Sequence, residues 1–107
     1  MTARYNGISI YDGALPNAKT AIYTVASGYR LHLSHITLTN VGAGTARAQI
    51  WVNRGTSRLI IDCDLDARDC LYFNGYHPLI VGDMVEIKAA VAATIDATIA
   101  GTLELLS

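Results

Sequence analysis

Apolar and polar residues alternate along almost the whole chain. Leu31 and Leu33 alternate with His32 and Ser34; after a one-residue slip, Ile36 and Leu38 alternate with Thr37 and Thr39. Ala48, Ile50 and Val52 are offset by Gln49, Trp51 and Asn53, and Val85 and Ile87 by Glu86 and Lys88. Ile95, Ala97, Ile99, Leu103 and Leu105 keep the same period between Asp96, Thr98, Thr102 and Glu104. A period of two puts successive side chains on opposite faces of an extended backbone, so each run predicts a half-buried β-strand. Turn-forming pairs break the runs: Asn6-Gly7, Asp12-Gly13, Pro16-Asn17, Ser27-Gly28, Gly42-Ala43-Gly44, Arg54-Gly55, Asn74-Gly75 and Gly82-Asp83. They divide the chain into about eight strands, over 7–11, 20–25, 29–40, 45–53, 58–62, 70–74, 83–92 and 95–106.

The expected fold class is all-β, an antiparallel β-sandwich of jelly-roll-like form. Residues 20–107 make the sandwich domain, and residues 1–19 make an N-terminal arm or a first strand. The slip at Ser34-His35 predicts a β-bulge or bend in the long segment 29–40, of the kind that carries a strand across both sheets. A helix over Met84–Ala97 is the competing assignment, but Val91, Thr94 and Ile95 are β-branched and favour strands.

Composition changes this picture in one respect. Hydrophobic residues make up 51% of the 107 residues and charged residues only 16%. A domain of this size has much surface to cover with polar groups. The excess of apolar residues predicts that another chain covers part of the surface. The formal charge of −1 supplies no basic field for nucleic acid or an acidic membrane. The most apolar stretch, Ala89 to Leu106, is broken by Asp96, so no membrane span is expected. The N-terminus lacks a basic segment followed by an apolar one. The expectation is a protein made in the cytoplasm that leaves, if at all, by a signal-free route such as lysis.

Candidate chemistry is sparse. His32 and His35 are three apart and point to opposite faces of a strand unless a bulge intervenes, and His77 stands alone. Asp62, Asp64, Asp66 and Asp69 resemble the start of a calcium loop, but Ala67 replaces the glycine and Phe73 the final glutamate. A solvated turn is the simpler assignment. Cys63 and Cys70 flank a possible hairpin over Asp64–Arg68; as cytosolic thiols they are expected to stay reduced, as small buried hydrophobes. There is no nucleophile elbow, phosphate loop or dinucleotide fingerprint. The expectation is a protein that is not an enzyme, with no catalytic residue, cofactor, metal or small-molecule substrate. Aromatics on the outside of a sheet suit an interface, or else sugar stacking. The interface candidates are Trp51, Tyr72 and Tyr76 on strands, with Tyr5, Ile8, Ile10 and Tyr11 in the N-terminal segment.

The order of several short segments resembles a group of small tailed-phage virion proteins with a jelly-roll-like sandwich. The segments are Ala21-Ile22-Tyr23-Thr24-Val25 before Ser27-Gly28, Ile36-Thr37-Leu38-Thr39-Asn40, Ala48-Gln49-Ile50-Trp51-Val52, Leu79-Ile80-Val81-Gly82-Asp83 and the ending Ala97 to Glu104. Ala26 stands where the group usually has proline. The resemblance implies a virion structural protein, foremost a capsid decoration (cement) protein bound to the major capsid protein on the outer head. A homotrimer is the implied oligomer. A neck or tail ring subunit is the alternative within that class, and a carbohydrate- or receptor-binding sandwich the alternative outside it. Residues 1–20 depart from the group's pattern, as an extended arm toward a neighbouring subunit would.

Overall fold

The computed structural model describes residues 4–106. They form eight strands: β1 (Arg4–Ala14), β2 (Thr20–Thr24), β3 (Tyr29–Asn40), β4 (Ala46–Asn53), β5 (Ser57–Leu65), β6 (Cys70–Leu79), β7 (Met84–Ala89) and β8 (Ile95–Leu105). The first sheet has the order β1-β8-β3-β6 and the second β2-β7-β4-β5. Every pairing is antiparallel. Apart from the β4–β5 hairpin, each strand is followed by one in the opposite sheet. Eight strands wound in this way between two sheets make a jelly roll, the expected fold class.

The alternation along each strand decides which face is buried. Leu31, Leu33, Ile36 and Leu38 of β3 and Ile95, Ala97 and Ile99 of β8 face Ala48, Ile50 and Val52 of β4 and Val85 and Ile87 of β7, all at most 2% exposed. Fully burying one such aliphatic side chain contributes roughly 1.5–3 kcal/mol, so this inner layer is the main source of stability. The register of β3 slips between Leu33 and His35 against both β6 and β8. This is the expected bulge, and it keeps Leu33 and Ile36 on the same inner face. Its backbone presses on β8: a Cβ at Gly101 would lie 2.5 Å from the His32 carbonyl oxygen. Only glycine fits there.

Several expectations need correction. β3 does not cross between the sheets; it runs its full length between β8 and β6. The sheets are exchanged at turns instead. Segment 84–97 contains no helix but β7, a turn and the start of β8. β6 runs on through Asn74-Gly75 to Leu79, and the Phe73 ring fills the space where a side chain at position 75 would sit. Cys63 and Cys70 do not face each other across a hairpin: β5 and β6 lie in different sheets, and both thiols are free. Nor are both buried, since Cys63 is half-buried and Cys70 exposed.

Two residues outside the alternating pattern close the ends of the sandwich. Leu15, 1% exposed, follows β1, and its amide donates to the Ile95 carbonyl (2.8 Å), while the next carbonyl, of Pro16, accepts from the Ala89 amide (2.8 Å). This short strap joins the first sheet to the second on the β1–β2 side. Asn40, fully buried at the end of β3, donates to the carbonyls of Gly44 and Leu65 and accepts from the Gly42 amide, each at 2.8 Å. One amide side chain thus ties three chain segments together, and its burial is offset by using both amide protons and its carbonyl oxygen.

Candidate interaction surfaces

The outer face of the first sheet carries a polar network built on the β3 bulge. The bulge turns His32 and His35 to the same side, the exception that the spacing of three allowed for. His32 pairs in register with Thr102 of β8 and Pro78 of β6. Its Nε2 lies 2.8 Å from Glu104 Oε1 and its Nδ1 2.8 Å from the Tyr76 hydroxyl. Because the carboxylate only accepts, Nε2 carries the donated proton, and in the neutral ring the tyrosine hydroxyl donates to Nδ1. The Tyr76 ring also stacks on His32, with centroids 5.4 Å apart. Tyr5 of β1 donates to Glu104 Oε2 (3.4 Å), and Arg30 approaches Oε1 at 3.5 Å. Glu104 is left only 7% exposed by these partners. Its carboxyl is held below the usual value, first by the His32 hydrogen bond and, against the opposing cost of burial, by the Arg30 charge. The network links all four strands of the sheet. Farther along, His35 Nδ1 meets Asn74 Oδ1 at 2.7 Å.

The second sheet presents a different outer face. Arg47 of β4 makes a two-pronged bond to Asp62 of β5, at 2.7 and 2.6 Å, which lowers the Asp62 pKa. Trp51 is half-buried, and Lys19 Nζ sits 4.6 Å from its ring centre. Lys19 in turn reaches Glu86 at 3.8 Å, and Ser57 donates to the same carboxylate at 2.6 Å. The ring face that would stack on a sugar is therefore occupied by an ammonium.

The candidate residues are scattered over the molecule. Tyr5, Tyr72 and Tyr76 are exposed, all on the first sheet. Ile8 and Tyr11 are half-buried and pack against the core. Ile10 is 8% exposed and belongs to the core itself, out of reach of a second chain. The aspartate run does not gather: Asp62 is engaged by Arg47, and Asp66 accepts from the Thr45 hydroxyl at 2.9 Å. Among the described residues no three His, Cys, Asp or Glu side chains group to hold a metal ion, and no pocket is present. The alternation alone did not show Glu104 as a network centre. Its one signal was an acidic residue in the outward row of β8, opposite Arg30.

The fold places the chain among jelly-roll sandwiches, and comparison with solved structures bears this out. A subunit of the disulfide-linked pili formed by Bacillus endospore appendages superposes with a TM-score of 0.62 at 15% identity, covering 99% of this chain and 90% of that one. A subunit of the T13 IBDV viral particle matches with a TM-score of 0.54 at 13% identity, over 97% of this chain and 31% of its own. A pentameric capsid protein isolated from metagenomic phage sequences matches with a TM-score of 0.50 at 19% identity, over 91% of this chain and 61% of that one. The chain thus spans about a third of the viral-particle subunit and nearly all of the pilus subunit. No protein-family model and no curated protein sequence matches it.

Proposed function

We propose that this chain is a structural subunit of a virion, a decoration protein that binds the major capsid protein on the outer head and stabilises the shell. The observation that carries the proposal is the kind of surface the jelly roll leaves exposed. It offers long strand edges and outward tyrosines, features that suit association. The likeness in fold to capsid subunits supports the same reading. No catalytic step belongs to it. Residues 1–19 would serve as the part nearest a neighbouring subunit, with Tyr5 exposed at its start.

Copy number tests the proposal. Purified particles from the genome that encodes the chain should contain it in numbers comparable to the major capsid protein. Six or twelve copies per particle would instead make it a neck or tail ring subunit, and absence from particles would overturn the virion reading. One observation favours a second reading, a pilus-like appendage subunit: the match to the pilus structure is mutual over nearly the full length of both chains. Thin filaments containing the chain, with none in particles, would establish that reading.

A further inference from the structure

The two sheets end in different ways. In the second sheet, β2 is only five residues long and follows Lys19, and β5 carries exposed Arg58, Asp62 and Asp64. Short strands and charges are the usual guards against pairing with another chain. In the first sheet, β1 is 11 residues long and β6 is 10. No Asp, Glu, Lys or Arg occurs from Tyr5 to Tyr11 or from Cys70 to Leu79. The guards these edges have are Arg4 and Asp12 toward the ends of β1, a bulge near Ile10, and Pro78 at the far end of β6, where Arg54 covers the Pro78 carbonyl at 3.0 Å. That leaves the greater part of both edges open.

We infer that the β6 edge of one copy pairs with the β1 edge of a second copy of this chain, so that the first sheet runs on from copy to copy. Direction fits. β1 is antiparallel to β8, β8 to β3, and β3 to β6, so β1 and β6 run in opposite senses. A second copy moved sideways along the sheet therefore presents its β1 antiparallel to β6. Length fits, at 11 and 10 residues. The outward rows fit as well. β6 offers Tyr72 and Tyr76, 67% and 60% exposed, whereas β1, past Tyr5 at its start, offers Gly7 and Ser9 along its middle, with open space over Gly7. Large rings on β6 meet the small residues at the middle of β1. Pairing two β6 edges about a two-fold axis would set tyrosine rows against each other and leave β1 bare. The contact is heterologous, and such contacts close into rings or run on as filaments. Main-chain hydrogen bonds supply the affinity, as in other strand additions.

The inference deepens the structural-subunit reading and can fail without it. The full-length chain is examined by sedimentation velocity over a wide concentration range. The mass should rise with concentration beyond two chains, to a ring or an open series. Two blunted variants place lysine on one edge each: Tyr72→Lys with Asn74→Lys on β6, and Gly7→Lys with Ser9→Lys on β1. Each alone should stay monomeric and folded, with a melting curve lowered only slightly, in the β6 variant by loss of the His35–Asn74 bond. Mixed, they should form a one-to-one dimer that cannot grow, because each supplies the edge the other lacks. Amide exchange of the unaltered chain gives a second readout that needs no variant: on concentration, protection should rise on β1 and β6 together. A chain monomeric at all concentrations, a dimer insensitive to the β1 variant, or protection gained on β6 alone would overturn the inference. A monomer still present at high copy in particles would leave the virion reading standing.

Discussion

The two sheets of this jelly roll share one core but treat their surroundings differently. Their inner faces are equivalent, with rows of Leu, Ile, Val and Ala packed face to face and almost fully buried. Their outer faces and edges are not. The second sheet spends its charges on closing itself off, with Arg47 on Asp62, Lys19 over Trp51 and three charged residues along β5. The first builds a network around Glu104 with Arg30 and His32 and leaves two long, sparsely charged edges. Stability and association are thus separable here: the core holds the sheets together, and the edge chemistry decides which sheet can be extended.

Core truncations should show the equivalence of the inner faces and have the largest effect. Leu33→Ala in the first sheet and Ile50→Ala in the second each remove a fully buried aliphatic side chain, and each should cost about 3 kcal/mol in denaturant unfolding. A much smaller loss for Ile50→Ala would mean that the second sheet is the looser half. Next comes Gly101→Ala, at about 2 kcal/mol, because the new Cβ meets the His32 carbonyl across β3 and backbone must give way. Gly7→Ala, with open space above it, should change monomer stability by less than about 0.5 kcal/mol.

The edge contrast can be reversed. Replacing Arg58, Asp62 and Asp64 by threonine should remove the guards on β5 without touching the core. In the background of blunted β6, this triple variant should gain concentration-dependent mass in sedimentation. If it stays monomeric, charge is not what protects the second sheet.

The smallest expected effects depend on pH. Burial, reinforced by the Arg54 charge, holds the His77 imidazole below its ordinary value of 6.5. The unfolded chain therefore takes up this proton first, and stability should fall as pH drops below that value. His77→Gln should flatten this step in a series of thermal melts. The lowered Glu104 carboxyl contributes stability that is present above its ordinary value of 4.5 and lost below it, so Glu104→Gln should flatten a second, more acidic step. If His77→Gln left the upper step unchanged, His77 would not be its source.

Much of the fold was legible in the residue order. Each of the eight strands overlaps one expected from the residue order, although β1 and β6 run longer and β7 shorter, and the slip at Ser34-His35 is a register shift in both pairings of β3. The misjudged places have a common cause. Asn6-Gly7 and Asn74-Gly75 look like turns locally, yet both are strand, because Asn6 and Gly7 pair with β8, and β3 pairs with β6 on both sides of Gly75. Ile10 looked like part of a free arm and is core, since β1 lies along β8 for its whole length. Leu15 and Asn40 bind the ends of the sandwich through carbonyls far away in sequence, which no local pattern displays.

The sequence by itself determined that the chain is extended, where it bends, and which side chains of each strand face inward. Period two is a local property, set by the geometry of consecutive residues. Only the tertiary structure decided which strands are neighbours and which lie at the edges. Those assignments rest on pairings between residues as far apart as Arg4 and Leu105. The same folding that buries β3 and β8 in mid-sheet leaves β6 and the sparsely charged β1 outermost, and so turns an ordinary alternating pattern into two surfaces able to accept another strand.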